Sequence, residues 1–440
     1  MATYLSRSFT ADNTSRSIFT VSAWIKRANL SSAQTVISAS TTSNFNDKII
    51  GFRSDNTLEV NNVASGSAAI EIITNRVFRD TNAWYHVVVA VDTTQSAIAD
   101  GLKLYINGVR DTDFSGSPTY TQSATFEIGR NGSATAIGRY ESGSSQYFDG
   151  YLGNVHYIDG QQKLPTDFGE TDSTTGIWKP KTYAGTYGNN GFLLEFKNSG
   201  ALGTDTSGNS ETFTVNGAGT NAQVTDTPSN NFATWNPLVV RSFQYPITLS
   251  EGSLKAIAAS NTSYGSTVAA TVSLGKGKWY WEFKYTTSGT GGYVVGWGED
   301  TYDFNYQTDA YPYKASLGST SGVFYRADGG KVVNGTETAS AGATWSQNDI
   351  IGIAVDLDNG NITFYKNGSS QFTETSVFTS TLSYYPEFYG YGSKGGQANF
   401  GNPSYTIASG NADANGHGNF EYSVPTGYYA LCTKNINTYG

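Results

Sequence analysis

The chain has one cysteine, Cys432, and one methionine in 440 residues. A single thiol excludes an intrachain disulfide framework and any cysteine-cluster metal site. Between Leu431 and Thr433 it reads as a small buried hydrophobe rather than a reactive nucleophile. Positive charge is also short: Lys and Arg total 27 against 36 Asp and Glu, a formal net charge of -9. That balance disfavours a phosphate-binding field, so no nucleic-acid partner is expected. No apolar run approaches the roughly 20 residues of a membrane span, so no membrane insertion is expected. The N-terminal stretch lacks a basic region followed by an apolar core, and the expectation is synthesis in a cytoplasm without Sec-type export. No serine nucleophile elbow, Walker loop or HExxH motif is present.

What is abundant is turn-forming and ring-bearing: 50 Gly, 30 Tyr and 23 Phe, with much Ser, Thr and Asn. This is the usage of short strands joined by many turns, and long helices are not expected. The length predicts two or three domains, and an internal repeat favours two. Trp84-Tyr85-His86-Val87-Val88-Val89-Ala90-Val91-Asp92 leads to Leu102-Lys103-Leu104-Tyr105-Ile106-Asn107-Gly108. In the second half Ile350-Ile351-Gly352-Ile353-Ala354-Val355-Asp356 leads to Ile362-Thr363-Phe364-Tyr365-Lys366-Asn367-Gly368. Both copies share Ala-Val-Asp and then Tyr-x-Asn-Gly. β-branched and aromatic residues suit a pleated surface, and Asn-Gly takes the positive φ angles of a type I′ hairpin turn.

Period-two alternation predicts a strand over 19–25, with Phe19, Val21, Ala23 and Ile25 on one face and Trp24 on a second face that is covered too. Further strands are expected at 36–40, 48–52, 58–60, 70–74, 126–129 and 151–157. Residues 161–190 lose the alternation, carry Pro165 and Pro180, and read as irregular structure laid over a sheet edge. The runs 191–196 and 212–215 are expected to return and close the first module. The stretch 217–231, rich in Gly, Thr, Asn and Ser, is the linker candidate, with the boundary near residue 235. In the second module, strands are expected at 279–285, 293–297, 323–325, 384–391 and 397–400, and Tyr428-Tyr429-Ala430-Leu431 is a terminal strand or edge. The expected fold is all-β, two tandem antiparallel β-sandwiches of jelly-roll type over 1–235 and 236–440.

The residues themselves support two resemblances. The first half carries Phe19-Thr20-Val21-Ser22-Ala23-Trp24-Ile25-Lys26, Trp84-Tyr85-His86, Leu104-Tyr105-Ile106-Asn107-Gly108 and Phe148-Asp149-Gly150-Tyr151-Leu152-Gly153, and resembles a laminin-G-like, concanavalin-A-type domain. The second carries Lys278-Trp279-Tyr280-Trp281-Glu282, Gly292-Tyr293-Val294-Val295-Gly296-Trp297, the hairpin from Asp349 to Gly368, and Asn399-Phe400-Gly401, and resembles a SPRY domain. The pairing of the two, through Asp226-Thr227-Pro228-Ser229-Asn230-Asn231-Phe232-Ala233-Thr234, is similar to virion structural proteins of tailed phages, especially marine ones.

That resemblance implies a non-enzymatic virion protein, a tail fibre or other surface appendage, contacting host-surface glycan or neighbouring virion subunits and homo-oligomeric within the particle. Lysis would release it without a signal peptide. A capsid decoration protein, a bacterial carbohydrate-binding adhesin and a glycoside hydrolase are the alternatives. The chain has no heptad run or β-helix repeat and so lacks the shaft of a conventional trimeric fibre.

A glycanase needs two carboxylates flanking the scissile bond. Asp111 and Asp113 follow a turn, and Glu170 and Asp172 lie in the irregular stretch near Pro165; turn solvation accounts better for both pairs. His86 and His156 lie in strand-like runs and read as satisfied sheet histidines, while His417 lies in a Gly-Asn loop. Calcium is the one metal that the laminin-G-like resemblance keeps open, with Asp92 and Asp159 as candidate ligands, although an aspartate ending a strand also caps a turn. Among aromatics, residues 302–313 pack five rings into a loop-like segment. There Tyr302, Asp303, Tyr306, Asp309, Tyr311 and Tyr313 are the candidate ligand-binding residues. Ring faces stack on apolar sugar faces while carboxylates and amides bind hydroxyls; the alternative is that the tyrosines tuck under a loop.

Overall fold

A computed structural model describes residues 3–30, 32–217, 222–241, 246–260, 265–288, 293–299 and 322–440. The segment proposed above for ligand binding, Tyr302 to Tyr313, lies outside these residues. The chain forms two compact units, Met1–Gln223 and Val224–Gly440, each an antiparallel β-sandwich. The division falls within the 217–231 stretch, and Ala233 and Trp235 pack into the second core.

In the first unit, one sheet runs in the order Thr119–Tyr120, Ser67–Val77, Thr57–Ala64, Phe45–Phe52, Gln34–Thr42, Ala134–Ile137, Tyr4–Ser8 and Thr214–Asn216. The facing sheet runs Phe192–Leu194, Gly150–Asp159, Ile18–Arg27, Trp84–Asp92, Leu102–Ile106 and Val109–Asp111. The two late strands close the unit as expected: Phe192–Leu194 pairs with Gly150–Asp159, and Thr214–Asn216 with Tyr4–Ser8. Along Ile18–Arg27 the alternation holds, with Phe19, Val21, Ala23 and Ile25 in the core between the sheets. Phe19, Val21 and Ile25 each contribute roughly 1.5–3 kcal/mol on full burial.

Trp24, on the opposite face, is also buried, because residues 161–190 lie across that face rather than along an edge. Val88, Ala90, Tyr105 and Ile158 point outward from the six-stranded sheet and form a second apolar layer with Phe168, Tyr183 and Tyr187. An apolar outer face has to be covered, and this strap covers it. The strap carries a short hairpin, Gly169–Thr171 with Trp178–Pro180.

The expected strand at 126–129 does not form. Phe126 N–H bonds Arg16 O, and the next two amides, of Glu127 and Ile128, go to the Asp47 carboxylate. A side chain has taken the donors that a ladder would need.

In the second unit, one sheet runs Trp235–Arg241, Ser266–Ala270, Tyr384–Gly390, Tyr293–Glu299, Gly322–Arg326, Lys331–Val333 and Thr336–Thr338. The other runs Thr248–Ser250, Lys255–Ile257, Gly395–Asn399, Lys278–Tyr285, Ile350–Asp356, Asn361–Lys366 and Ser369–Glu374, with Tyr429–Ala430 parallel beside Lys278–Tyr285. Trp279, Trp281, Phe283 and Tyr285 alternate into the core with Trp235, Trp297 and Trp345. Here too a C-terminal segment covers the outer face: Tyr280 and Ala354 pack against Phe232, Phe420, Ala430 and Cys432. Cys432 is fully buried, as its apolar neighbours imply. The chain then ends in a short helix, Thr433–Tyr439.

The twin hairpins are built alike. Asn107 and Asn367 both have φ 49°, and the glycines after them have φ 82° and 78°, as a type I′ turn requires. In each, the asparagine Oδ1 accepts an amide near the start of the neighbouring strand, His86 N at 2.7 Å and Ile350 N at 2.9 Å. They belong to the scaffold. Among the described residues, no helix is long and apolar enough to cross a membrane.

Candidate functional site

In the first unit, the segment leading into Ile18–Arg27 and the segment before Ala134–Ile137 run side by side. Phe9 forms a parallel bridge with Asn131, and Gly132 N–H bonds Phe9 O at 2.8 Å. Between them opens a recess of about 540 Å³ lined by residues 12–16, Arg130 and Asn131. Every lining side chain is polar or charged.

Three buried carboxylates hold the segments that line it. Asp159 receives the amides of Thr14 at 2.6 Å, Ser15 at 3.1 Å and Asn190 at 3.1 Å, which pins the first loop to the end of Gly150–Asp159. Asp47 receives the amides of Glu127 at 2.5 Å and Ile128 at 2.9 Å, with Asn62 Nδ2 at 2.8 Å on its other oxygen. Burial pushes this carboxyl up to about 7, against the opposing pull of those donors. Fixed in this way, Glu127 is 1% exposed and takes Arg16 Nη2 on Oε1 at 2.6 Å and Arg130 Nη1 on Oε2 at 2.7 Å. Thr41 donates its hydroxyl to the same Oε2.

The two guanidiniums are thus held by one carboxylate, while their outer edges, at 33% and 37% side-chain exposure, reach the recess. Arg16 Nε is held by Phe126 O at 3.0 Å. At the rim, Asn131 Nδ2 reaches Asp12 Oδ1 at 3.3 Å. This arrangement offers fixed N–H donors on the floor and amide and carboxylate acceptors at the rim. It can bind a polar ligand.

The other candidate residues of the sequence have structural employment. Asp92 accepts the Thr94 amide at 3.1 Å and the Thr94 hydroxyl at 2.6 Å, and so caps a turn. It pairs in register with Ile18 while Asp159 pairs with Phe19 from the other side, which leaves a whole strand between the two calcium candidates. Asp111 bonds Arg76 at 3.0 Å, and Asp113 accepts Asn75 Nδ2 at 2.6 Å. Glu170 and Asp172 flank Lys179 on the strap hairpin at 3.5 and 3.0 Å. Each acid pair serves a turn or an ion pair.

His86 is fully buried between Trp24 and Trp178, with ring centroids 4.7 and 6.0 Å away. Trp178 Nε1–H, which can only donate, lies 2.9 Å from His86 Nδ1. Nδ1 is therefore the acceptor, and the ring proton sits on Nε2, donated to Ser22 Oγ at 2.8 Å. Burial lowers the pKa of His86 to about 3, with the nearby His156 adding to the effect. His156, buried against Phe168 and stacked on Tyr187, is lowered to about 3 by burial alone. Both histidines anchor the strap.

In the second unit, Glu282 plays the corresponding part. On the outer face of Lys278–Tyr285 it receives the amides of Glu421 at 3.0 Å and Tyr422 at 2.8 Å, Tyr280 Oη at 3.1 Å and Asn399 Nδ2 at 3.1 Å. Burial pushes it up to about 7 while those donors pull it down. Sequence reasoning missed Arg16, Glu127, Arg130 and the role of Glu282. The available signals were single acids inside apolar runs, Glu127 between Phe126 and Ile128 and Glu282 between Trp281 and Phe283, where burial demands a partner.

Residues 3–162 match the model of the concanavalin A-like lectin/glucanases superfamily, and residues 278–403 match that of the SPRY domain. The first match spans the recess. No curated protein matches the chain. Among solved structures it is similar to the SPRY domain of human HERC1, at 22% identity and a TM-score of 0.29 over 37% of this chain and 94% of that one. It is also similar to a human SPRY domain, at 16% identity and a TM-score of 0.28 over 37% and 97% of the two chains. A third is the TRIM65 PSpry domain, at 16% identity and a TM-score of 0.30 over 38% and 88%. The chain thus contains a concanavalin A-like domain followed by a SPRY domain.

Proposed function

We propose that the chain is a non-catalytic binding protein of a phage virion, a tail fibre or other surface appendage, that contacts host-surface glycan or neighbouring virion subunits and assembles there as a homo-oligomer. The observation that carries the binding reading is the recess of the concanavalin A-like domain. Its fixed guanidinium edges and its rim of Asp12, Asn13 and Asn131 are aimed at a polar ligand, while the buried acids beneath it are committed to holding loops. Hydroxyl-rich ligands suit such a set of paired donors and acceptors. The virion assignment rests on the resemblance of this two-domain pairing to tailed-phage structural proteins.

Antibody labelling of purified particles by electron microscopy tests it. Label on the tail or on an appendage is the expected result. Label on the head would replace the appendage reading with capsid decoration, and particles free of the protein would refute the virion reading altogether.

A further inference from the structure

We infer that the recess takes an acidic saccharide, with the sugar carboxylate on the guanidinium edges of Arg16 and Arg130 and the hydroxyls on Asp12 and Asn131. The inference rests on the glycan-binding reading above and names the class of glycan. No aromatic side chain lines the recess, so the stacking of a ring on a neutral pyranose face is not how this site would hold a sugar.

What the site does have is two guanidiniums preorganised by one buried carboxylate. Arg16 uses Nε on Phe126 O and Nη2 on Glu127. Arg130 uses Nη1 on Glu127 and Thr41. Arg16 Nη1 and Arg130 Nε and Nη2 remain for a ligand. Glu127 and Asp12 balance the charge of the two arginines, so the preference for a carboxylate comes from geometry: the free Nε–Nη2 edge of Arg130 is a planar fork that matches a carboxylate in a bidentate pair. Because Glu127 already fixes both side chains, little rotamer entropy remains to be lost on binding. The rim carries the complementary chemistry: Asp12 accepts from hydroxyls, and the Asn131 amide both donates and accepts. A ligand with one anion and several neighbouring hydroxyls, as in a uronic acid residue, satisfies both halves of the site.

The test uses the full chain, with trigalacturonate as the acidic probe and maltotriose as the neutral one, in titration calorimetry and hydrogen exchange. Trigalacturonate should bind, protect peptides covering residues 9–17 and 124–133, and weaken several-fold when salt is raised from low to physiological strength. Arg130→Gln should weaken it about tenfold, the worth of one charge-assisted pair. Arg130 also neutralises Glu127, so Asp12→Asn serves as a second variant that leaves the guanidiniums in place. It should bind the acidic probe at least as tightly as the parent, since the amide oxygen still accepts from a hydroxyl while the rim anion has been removed. Equal binding of maltotriose, undiminished binding by Arg130→Gln, or weakened binding by Asp12→Asn would overturn the acidic-sugar assignment and leave glycan binding standing. Binding of neither probe would overturn both.

Discussion

Acidification should release the strap that covers the outer face of the first sandwich. His86 and His156 both lie under that strap, and both are held at a pKa of about 3 by burial, against about 6.5 for an exposed imidazole. The folded values are lowered, so the stabilisation is fully present above about pH 6.5 and is lost as the pH falls toward 3. An opening that wets one such ring becomes about 2 kcal/mol easier at pH 5 than at pH 7.5, and one that wets both about 4 kcal/mol easier. The structure supplies the reason: a proton arriving at His86 Nδ1 would face the Trp178 Nε1–H that now donates to it. Asp47 lies in the opposite sheet, beneath the recess, and strap opening leaves it covered. Its own titration therefore does not mask the effect.

Hydrogen exchange of peptides covering residues 165–187, corrected for intrinsic rates, reads the opening directly. Protection should fall about 30-fold for each histidine wetted between pH 7.5 and pH 5. His86→Gln should remove about half of that pH dependence. Protection that stays level over this range in the parent, or an unchanged pH dependence in His86→Gln, would refute the argument.

Three further outcomes follow from the same contacts. Above pH 8, where Glu282 with its pKa raised to about 7 is ionised, Glu282→Gln should free the C-terminal cover of the second unit at a cost of about 2–4 kcal/mol, because the amides of Glu421 and Tyr422 lose a charged acceptor; the reaction rate of Cys432 with a maleimide should rise, and an unchanged rate would count against the latch. Gly108→Ala should destabilise more than Gly116→Ala. Both glycines have positive φ, but a Cβ at Gly108 would sit 2.9 Å from the Trp178 ring while Gly116 has open space, so denaturant midpoints should separate them by about 1 kcal/mol or more. Asp159→Asn should loosen residues 12–16 and cost about 2 kcal/mol, by the same amount in EDTA as in calcium, since the carboxylate holds three amides; a calcium-dependent difference in melting temperature would instead make it a metal ligand.

The sequence by itself determined most of the strands, the paired Asn-Gly turns and the existence of two cores. Each of these depends on residues one or two positions apart: the alternation of Phe19 to Ile25 places one face inward whatever the rest of the chain does, and Asn367-Gly368 carries its own preference for positive φ. It also marked Trp24 as covered and Cys432 as buried. It did not determine what covers Trp24, why residues 126–129 leave the ladder, or that Arg16 and Arg130 share one carboxylate. Those facts depend on partners brought together only by the tertiary fold. Arg16 meets Glu127 across 111 positions, Thr14 meets Asp159 across 145, and Glu421 meets Glu282 across 139. A buried carboxylate in a strand announces that it needs donors, and only the packed structure decides which distant loop supplies them and what recess that loop then forms.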